Sequence, residues 1–302
     1  MAPPSKRPRA PTWQRFGLAI PYAWLLFFFL APFLLVLKIS VADPVVAQPP
    51  FTPLFDPTAA KGLGLHATAE NYRFVLGDRL YVLTYLNSLE LAAATTLSCL
   101  ALGYPMAYGI ARAGAGTRSV LLLLVILPFW TSFLLRVYAW MGILNSRGIV
   151  NQLLLWLGAI DRPLELLYTN TAVLIGMVYS YLPFMILPLY ANLARLDPDL
   201  LDAAADLGAR PRRAFLDVTF PLSLPGVIAG CLLVLIPAIG EFVIPAVLGG
   251  SDSLMIGRVV YDEFFLNRDW PVAAAVAVLL LLLLLVPIAI FQRYEAQGGT
   301  DA

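Results

Sequence analysis

One histidine and two cysteines in 302 residues leave little from which to build a metal centre or a disulfide framework. His66 stands in a stretch with no ligand-like cluster around it, and Cys99 and Cys231 each lie inside an apolar run, which makes them core thiols. Charge is equally scarce. Asp, Glu, Lys and Arg make up 13% of the chain and apolar residues 60%, where a soluble domain carries roughly 25% and about 45–50%. A net charge of +1 and the lack of a basic domain exclude the electrostatic footprint of a nucleic-acid binder. No G-x-x-x-x-G-K-[ST] sequence occurs, so the chain lacks the usual phosphate loop for ATP. No Ser/His/Asp or Cys/His set pairs a nucleophile with a base, and the hydroxyls of "SYLPF" and "TSFLL" have nothing to activate them. The sequence therefore offers no catalytic and no metal-binding residues. An integral-membrane enzyme would need clustered acid, base or nucleophile groups at one depth, and only Arg136 and Glu241 come close.

What is there is apolar sequence in long runs. A spanning helix needs ~20 mostly apolar residues, since ~1.5 Å of rise per residue must cross ~30 Å of hydrocarbon. Six stretches qualify: 17–39, 85–110, 119–142, 171–193, 223–248 and 272–292. The first comes after Lys6, Arg7, Arg9 and Arg15, as a signal peptide would. Its apolar run of about 21 residues is longer than the ~7–15 of a signal h-region, so it reads as a retained helix. The membrane domain is 17–292, with tails at 1–16 and 293–302.

Lys and Arg placement sets orientation. The N-terminal tail, the 111–118 loop (Arg112, Arg118) and the 194–222 loop (Arg195, Arg210, Arg212, Arg213) are basic, and they alternate with 40–84, 143–170 and 249–271, which are less so. The solution is all-α, six transmembrane helices, N-in and C-in. Outside, 40–84 reads as an irregular, partly packed loop, and the spacing of Ile149, Leu153, Trp156 and Leu157 predicts an amphipathic helix at the outer interface.

The 194–222 loop stands apart. A minimal connection needs only a handful of residues, whereas this one uses 29. Asp197 is a good N-cap and Pro198 suits the first helical position. Asp199 and Asp202 sit where the helix dipole favours carboxylates. Ala203, Ala204 and Ala205 offer a surface that another can approach closely, and Gly208 is a natural residue to end the helix. Pro211 predicts a second short helix, and Pro221 and Pro225 the turn into the next span. Such a loop is either a solvated connection or a docking element.

The stretch resembles the EAA loop of permeases of ATP-binding-cassette (ABC) importers, E-A-A, three residues, G, nine residues, then I-x-L-P. Here it is Asp202-Ala203-Ala204, then Gly208 and Ala209, then Val218-x-Phe220-Pro221. Three positions depart from the pattern: Asp for Glu, Val for Ile and Phe for Leu. "NSLELAAATTLSCLALGYPMAYGIAR", "LPFWTSFLLRVYAWMGIL" and "LGGSDSLMIGRVVYDEFFLNRDWPVA" are similar to the permeases of polyamine importers, the putrescine type above all. The resemblance implies a type I importer permease fold and a set of partners: a cytoplasmic ATPase dimer that uses ATP and Mg, a second homologous permease in a heterodimer, and a periplasmic polyamine-binding protein. No cofactor would be bound by this chain itself. Spermidine, opines, phosphonates and other small solutes are the alternatives within related importers. A self-sufficient channel or secondary transporter would leave the 29-residue loop unexplained.

Charges inside a span cost at least ~2.5–3.5 kcal/mol on insertion scales. Arg136, about 17 residues into the third span, and Glu241, about 18 into the fifth, would stand at equal depth, which permits a salt bridge. Alternatively Glu241 faces the translocation path and attracts a cation, with Gly240, Pro237 and Pro245 loosening the helix beside it. Trp130, Tyr138, Tyr179 and Tyr181 are candidate pore-lining rings for ammonium groups, although interface belts use the same residues. Asp262, Glu263 and Asp269 form an acidic cluster in the last outer loop, which is either simply solvated or serves to dock the binding protein or funnel cations. Gly226 and Gly230 form a G-x-x-x-G pair suited to close helix contact.

Overall fold

The computed structural model describes residues 12–53, 55–56, 64–65 and 67–298. His66 and the tail up to residue 11 lie outside them. The first span is α1 (Thr12–Leu25) and α2 (Ala31–Ser40), joined through a π turn at Leu26–Leu30. Between it and the second span come a ladder of β1 (Phe55–Asp56) with β2 (Gly64–Leu65), antiparallel with Phe55 opposite Leu65, and α3 (Glu70–Gly77). Asn71 pins this region by donating to the carbonyls of Ser40 and Ala42 at 3.0 and 2.8 Å.

The core is a packed trio: α4 (Arg79–Arg112), α8 (Asn170–Leu193) and α11 (Phe220–Ile239). Cys99, Ala107, Met177, Met185, Leu189 and Val234 are buried between them. The G-x-x-x-G pair is used here: a Cβ on Gly226 would lie 2.7 Å from Asn192 Cβ, and one on Gly230 would lie 2.7 Å from Met185 Sδ. Without those side chains α11 crosses α8 at backbone distance, as spans do where lipid supplies no hydrophobic drive.

The third span departs from expectation. In place of one straight helix over 119–142, α5 (Ala115–Ile126) and a 3-10 turn at Leu127–Trp130 are followed by a 93° bend into α6 (Phe133–Leu144) and α7 (Ile149–Trp156). Pro128 tightens the turn, and Thr131 leaves helical geometry at φ −98°, ψ 153°, with its hydroxyl donating to Pro128 O at 2.8 Å. The α7 helix holds as predicted, with Ile149, Leu153 and Trp156 exposed on one face. Its Asn151 is buried and ties the loop by accepting from Leu164 N at 2.7 Å.

The fifth span is also broken. The helix ends at Ile239, and after Gly240–Phe242 the chain restarts as α12 (Val243–Leu248). Its beginning differs too. Between α9 (Asp199–Asp206) and α11 lies α10 (Pro211–Ala214), which is no separate element: it runs through a π turn at Phe215–Thr219 into α11, making one helix over Pro211–Ile239. The expected turn at Pro221 is absent because the i→i+5 bond from Phe220 N to Phe215 O widens the helix there. That widening takes up the bond and the space a proline would otherwise disrupt. The fold closes with α13 (Ile256–Tyr261), a π turn at Asp262–Leu266 and α14 (Trp270–Gly298).

Candidate functional site

Two places concentrate built geometry: the 194–222 loop and the break at Gly240–Phe242. In the loop, the Asp197 carboxylate accepts from Asp199 N at 3.1 Å, the cap expected from the sequence. At the other end Gly208 N bonds to Ala205 O at 2.8 Å and Ala209 N to Ala204 O at 3.0 Å. This pair of bonds closes a helix on a left-handed residue, and Gly208 sits at φ +80°. Nothing stands within 4 Å of where its Cβ would be, so the demand for glycine is conformational and not steric. Asp202 and Ala203 are exposed and Ala204 half-buried. Leu207, 90% exposed, has no apolar neighbour to cover it.

The helix beyond the loop is anchored. Phe215, on the π turn, meets the rings of Tyr104 and Tyr108 edge-on at 5.7 and 5.8 Å. Tyr104 Oη shares a 2.8 Å hydrogen bond with Ser223 Oγ, and Arg112 lies over the Tyr108 ring at 5.4 Å. Sequence reasoning overlooked this knot. Its one local signal is that Tyr104 and Tyr108 are four apart and so share a helix face.

At the break, Glu241 is buried and its carboxylate caps α12. Oε1 accepts from Phe242 N at 3.0 Å and Val243 N at 2.9 Å, and Oε2 accepts from Tyr181 Oη at 2.5 Å. Arg136 does not pair with it. After the 93° bend Arg136 belongs to the first turn of α6, so the depth argument fails. Its guanidinium lies over the rings of Phe129 and Phe133 at 5.4 and 5.7 Å. Glu241 meets these donors inside the subunit.

The remaining candidates scatter. Tyr181 joins Glu241, whereas Trp130 and Tyr138 are 72% and 55% exposed on the outside of the subunit. Tyr179 packs edge-on against Trp140 at 5.4 Å and borders an apolar cleft between α4, α5 and α8. The acidic cluster is mostly engaged in structure. Glu263 accepts from Tyr81 Oη at 2.7 Å and Asn267 Nδ2 at 2.9 Å, and Asp269 caps α14 through Val272 N at 3.1 Å. Burial pushes the Asp269 carboxyl above its ordinary range and Glu263 adds to that, with the Val272 amide opposing.

The family described as "Binding-protein-dependent transport system inner membrane component" matches residues 12–297. The spermidine/putrescine transport system permease protein PotB of Haemophilus influenzae is 40% identical over 283 residues, 93% of each chain. PotB of Escherichia coli K12 is 47% identical over 208 residues, 69% of this chain and 75% of that protein. A bacterial alginate ABC transporter, solved with an alginate pentasaccharide-bound periplasmic protein, shares the fold at a TM-score of 0.67 and 18% identity over 96% of each chain.

Proposed function

The chain belongs to the family of binding-protein-dependent transport system inner membrane components, and on that premise we propose that it imports a polyamine, putrescine first and spermidine next. It would do so by alternating access, driven by ATP and Mg at a separate ATPase dimer. It is a multi-pass protein of the bacterial inner membrane. The polyamine assignment is supported by the spermidine/putrescine permeases among its relatives and by the likeness of the three quoted stretches to that family. A binding protein outside and a second, homologous permease beside it complete the proposed assembly, with the loop on the cytoplasmic side.

The observation that carries the reading is the 197–213 stretch. It is a capped helix closed at Gly208, with Leu207 uncovered, and it is tied by Phe215 to the tyrosines of α4. A surface so well defined and so little covered suits a soluble partner. Displacement of α9 by the closing ATPase dimer would pass through the continuous helix Pro211–Ile239 to the break at Gly240–Phe242. There a hinge between two rigid helices can open one side while closing the other.

The test is ATP-dependent uptake of radiolabelled putrescine into vesicles holding the complete importer, wild type against Gly208→Glu, with ATPase co-purification as the assembly check. The expected result is uptake that needs ATP, and a variant that loses both ATPase binding and uptake. A variant that binds and transports normally would reduce the loop to a connector. A wild-type importer that hydrolyses ATP yet ignores putrescine and spermidine would refute the substrate alone.

A further inference from the structure

We propose that the cleft between α6, α12 and α13 binds a primary alkylammonium group, through the paired rings of Phe242 and Tyr261 and the carboxylate of Asp262. The inference rests on the polyamine reading above and gives it a place in this chain. The cleft measures about 430 Å³. On one side Phe242 and Tyr261 stack at 5.1 Å between centroids, 11° from parallel, and each is about two-fifths exposed (38% and 40%). Ring faces of this kind attract a cation through their quadrupole.

Asp262 comes directly after Tyr261, at the start of the π turn, a local irregularity that recurs at functional sites. Its side chain is 35% exposed, and its ionic neighbour is Arg258 on the turn before, with Nε 3.8 Å from Oδ2. That distance is beyond hydrogen-bond reach. Among the described residues the carboxylate accepts no hydrogen bond, so its lone pairs are left for a donor such as –NH₃⁺, which carries three N–H groups. Arg258 lines the same cleft and partly offsets that charge.

The rest of the wall is apolar: Leu134, Val243 and Val247. A hydrated metal ion gains nothing from such a surface, whereas the methylene chain between two amines can lie along it. The site also sits at the interruption of the fifth span, where irregular backbone at membrane depth is tolerated beside a cavity. Glu241 enters as a positioning residue. It holds Phe242 N at 3.0 Å and thereby sets the ring that faces Tyr261.

The test is equilibrium dialysis of radiolabelled putrescine against the purified permease–ATPase complex without its binding protein, alongside uptake by the complete importer. Tyr261→Leu is expected to weaken direct binding roughly 2- to 30-fold. Tyr261→Phe, which keeps the ring, retains affinity. Asp262→Asn weakens it further and Asp262→Glu recovers part of the loss, all with ATPase co-purification unchanged. Unaltered binding in both Tyr261→Leu and Asp262→Asn would overturn the site, as would an equal loss in Tyr261→Phe, which marks a structural effect. Putrescine binding that Asp262→Asn abolishes in a complex that imports no polyamine would uphold the site and sink the importer reading. Uptake with no direct binding by wild type would do the reverse.

Discussion

Replacing Glu241 by alanine removes four bonds at once, from three backbone amides and one tyrosine, and the structure sets their size. The carboxylate caps α12 through Phe242 N and Val243 N at 3.0 and 2.9 Å, and losing such a cap costs about 0.5–2 kcal/mol. It also accepts from Tyr181 Oη at 2.5 Å; Tyr181 is buried, and an orphaned buried donor costs about 1–3 kcal/mol. The expected loss is about 1.5–5 kcal/mol, read as thermal unfolding of the purified complex in detergent. Tyr181→Phe removes the donor, so in the double variant the second part of that penalty disappears. The cycle should yield a coupling energy of ~1–3 kcal/mol. Glu241→Gln keeps one carbonyl oxygen for the backbone amides and should retain most of the stability and of the uptake. Additive single effects, within ~0.5 kcal/mol, would refute the pairing. A Glu241→Gln variant of native stability that no longer transports would show that the charge does more than cap, and would put Glu241 on the substrate path.

Packing sets two further outcomes. Phe215→Ala takes away the ring between Tyr104 and Tyr108, so the complex should still bind its ATPase and hydrolyse ATP but import less solute per ATP. A ratio of uptake to hydrolysis equal to wild type would exclude this knot from transmission. Gly257→Ala would drive a Cβ into Gly240 O and bring it 2.8 Å from Glu241 O, both backbone atoms. It should cost about 1–3 kcal/mol or more in thermal unfolding, whereas Gly109→Ala, with nothing within 4 Å of its Cβ, should be neutral or stabilising by about 0.5–1 kcal/mol.

Features that depend on near neighbours could be read from the residues. Apolar runs long enough to cross a bilayer are a matter of composition, so most spans were legible. The cap at Asp197 and the left-handed turn at Gly208 were equally so, because both are set by bonds within a few residues. The breaks were half legible: Pro128, Pro237, Gly240 and Pro245 mark weak points, but prolines also sit inside intact helices here, at Pro105, Pro183 and Pro188. Whether a helix continues past a proline depends on what packs around it, and at the Gly240–Phe242 break the amides set free are taken up by the Glu241 carboxylate. Which polar groups meet was settled by packing in three dimensions. Tyr181 reaches Glu241 across 60 residues and Tyr104 reaches Ser223 across 119, distances over which spacing carries no information. Equal depth suggested Arg136 for Glu241. The 93° bend removed that partner, and the packing of α8 against α11 supplied Tyr181 instead.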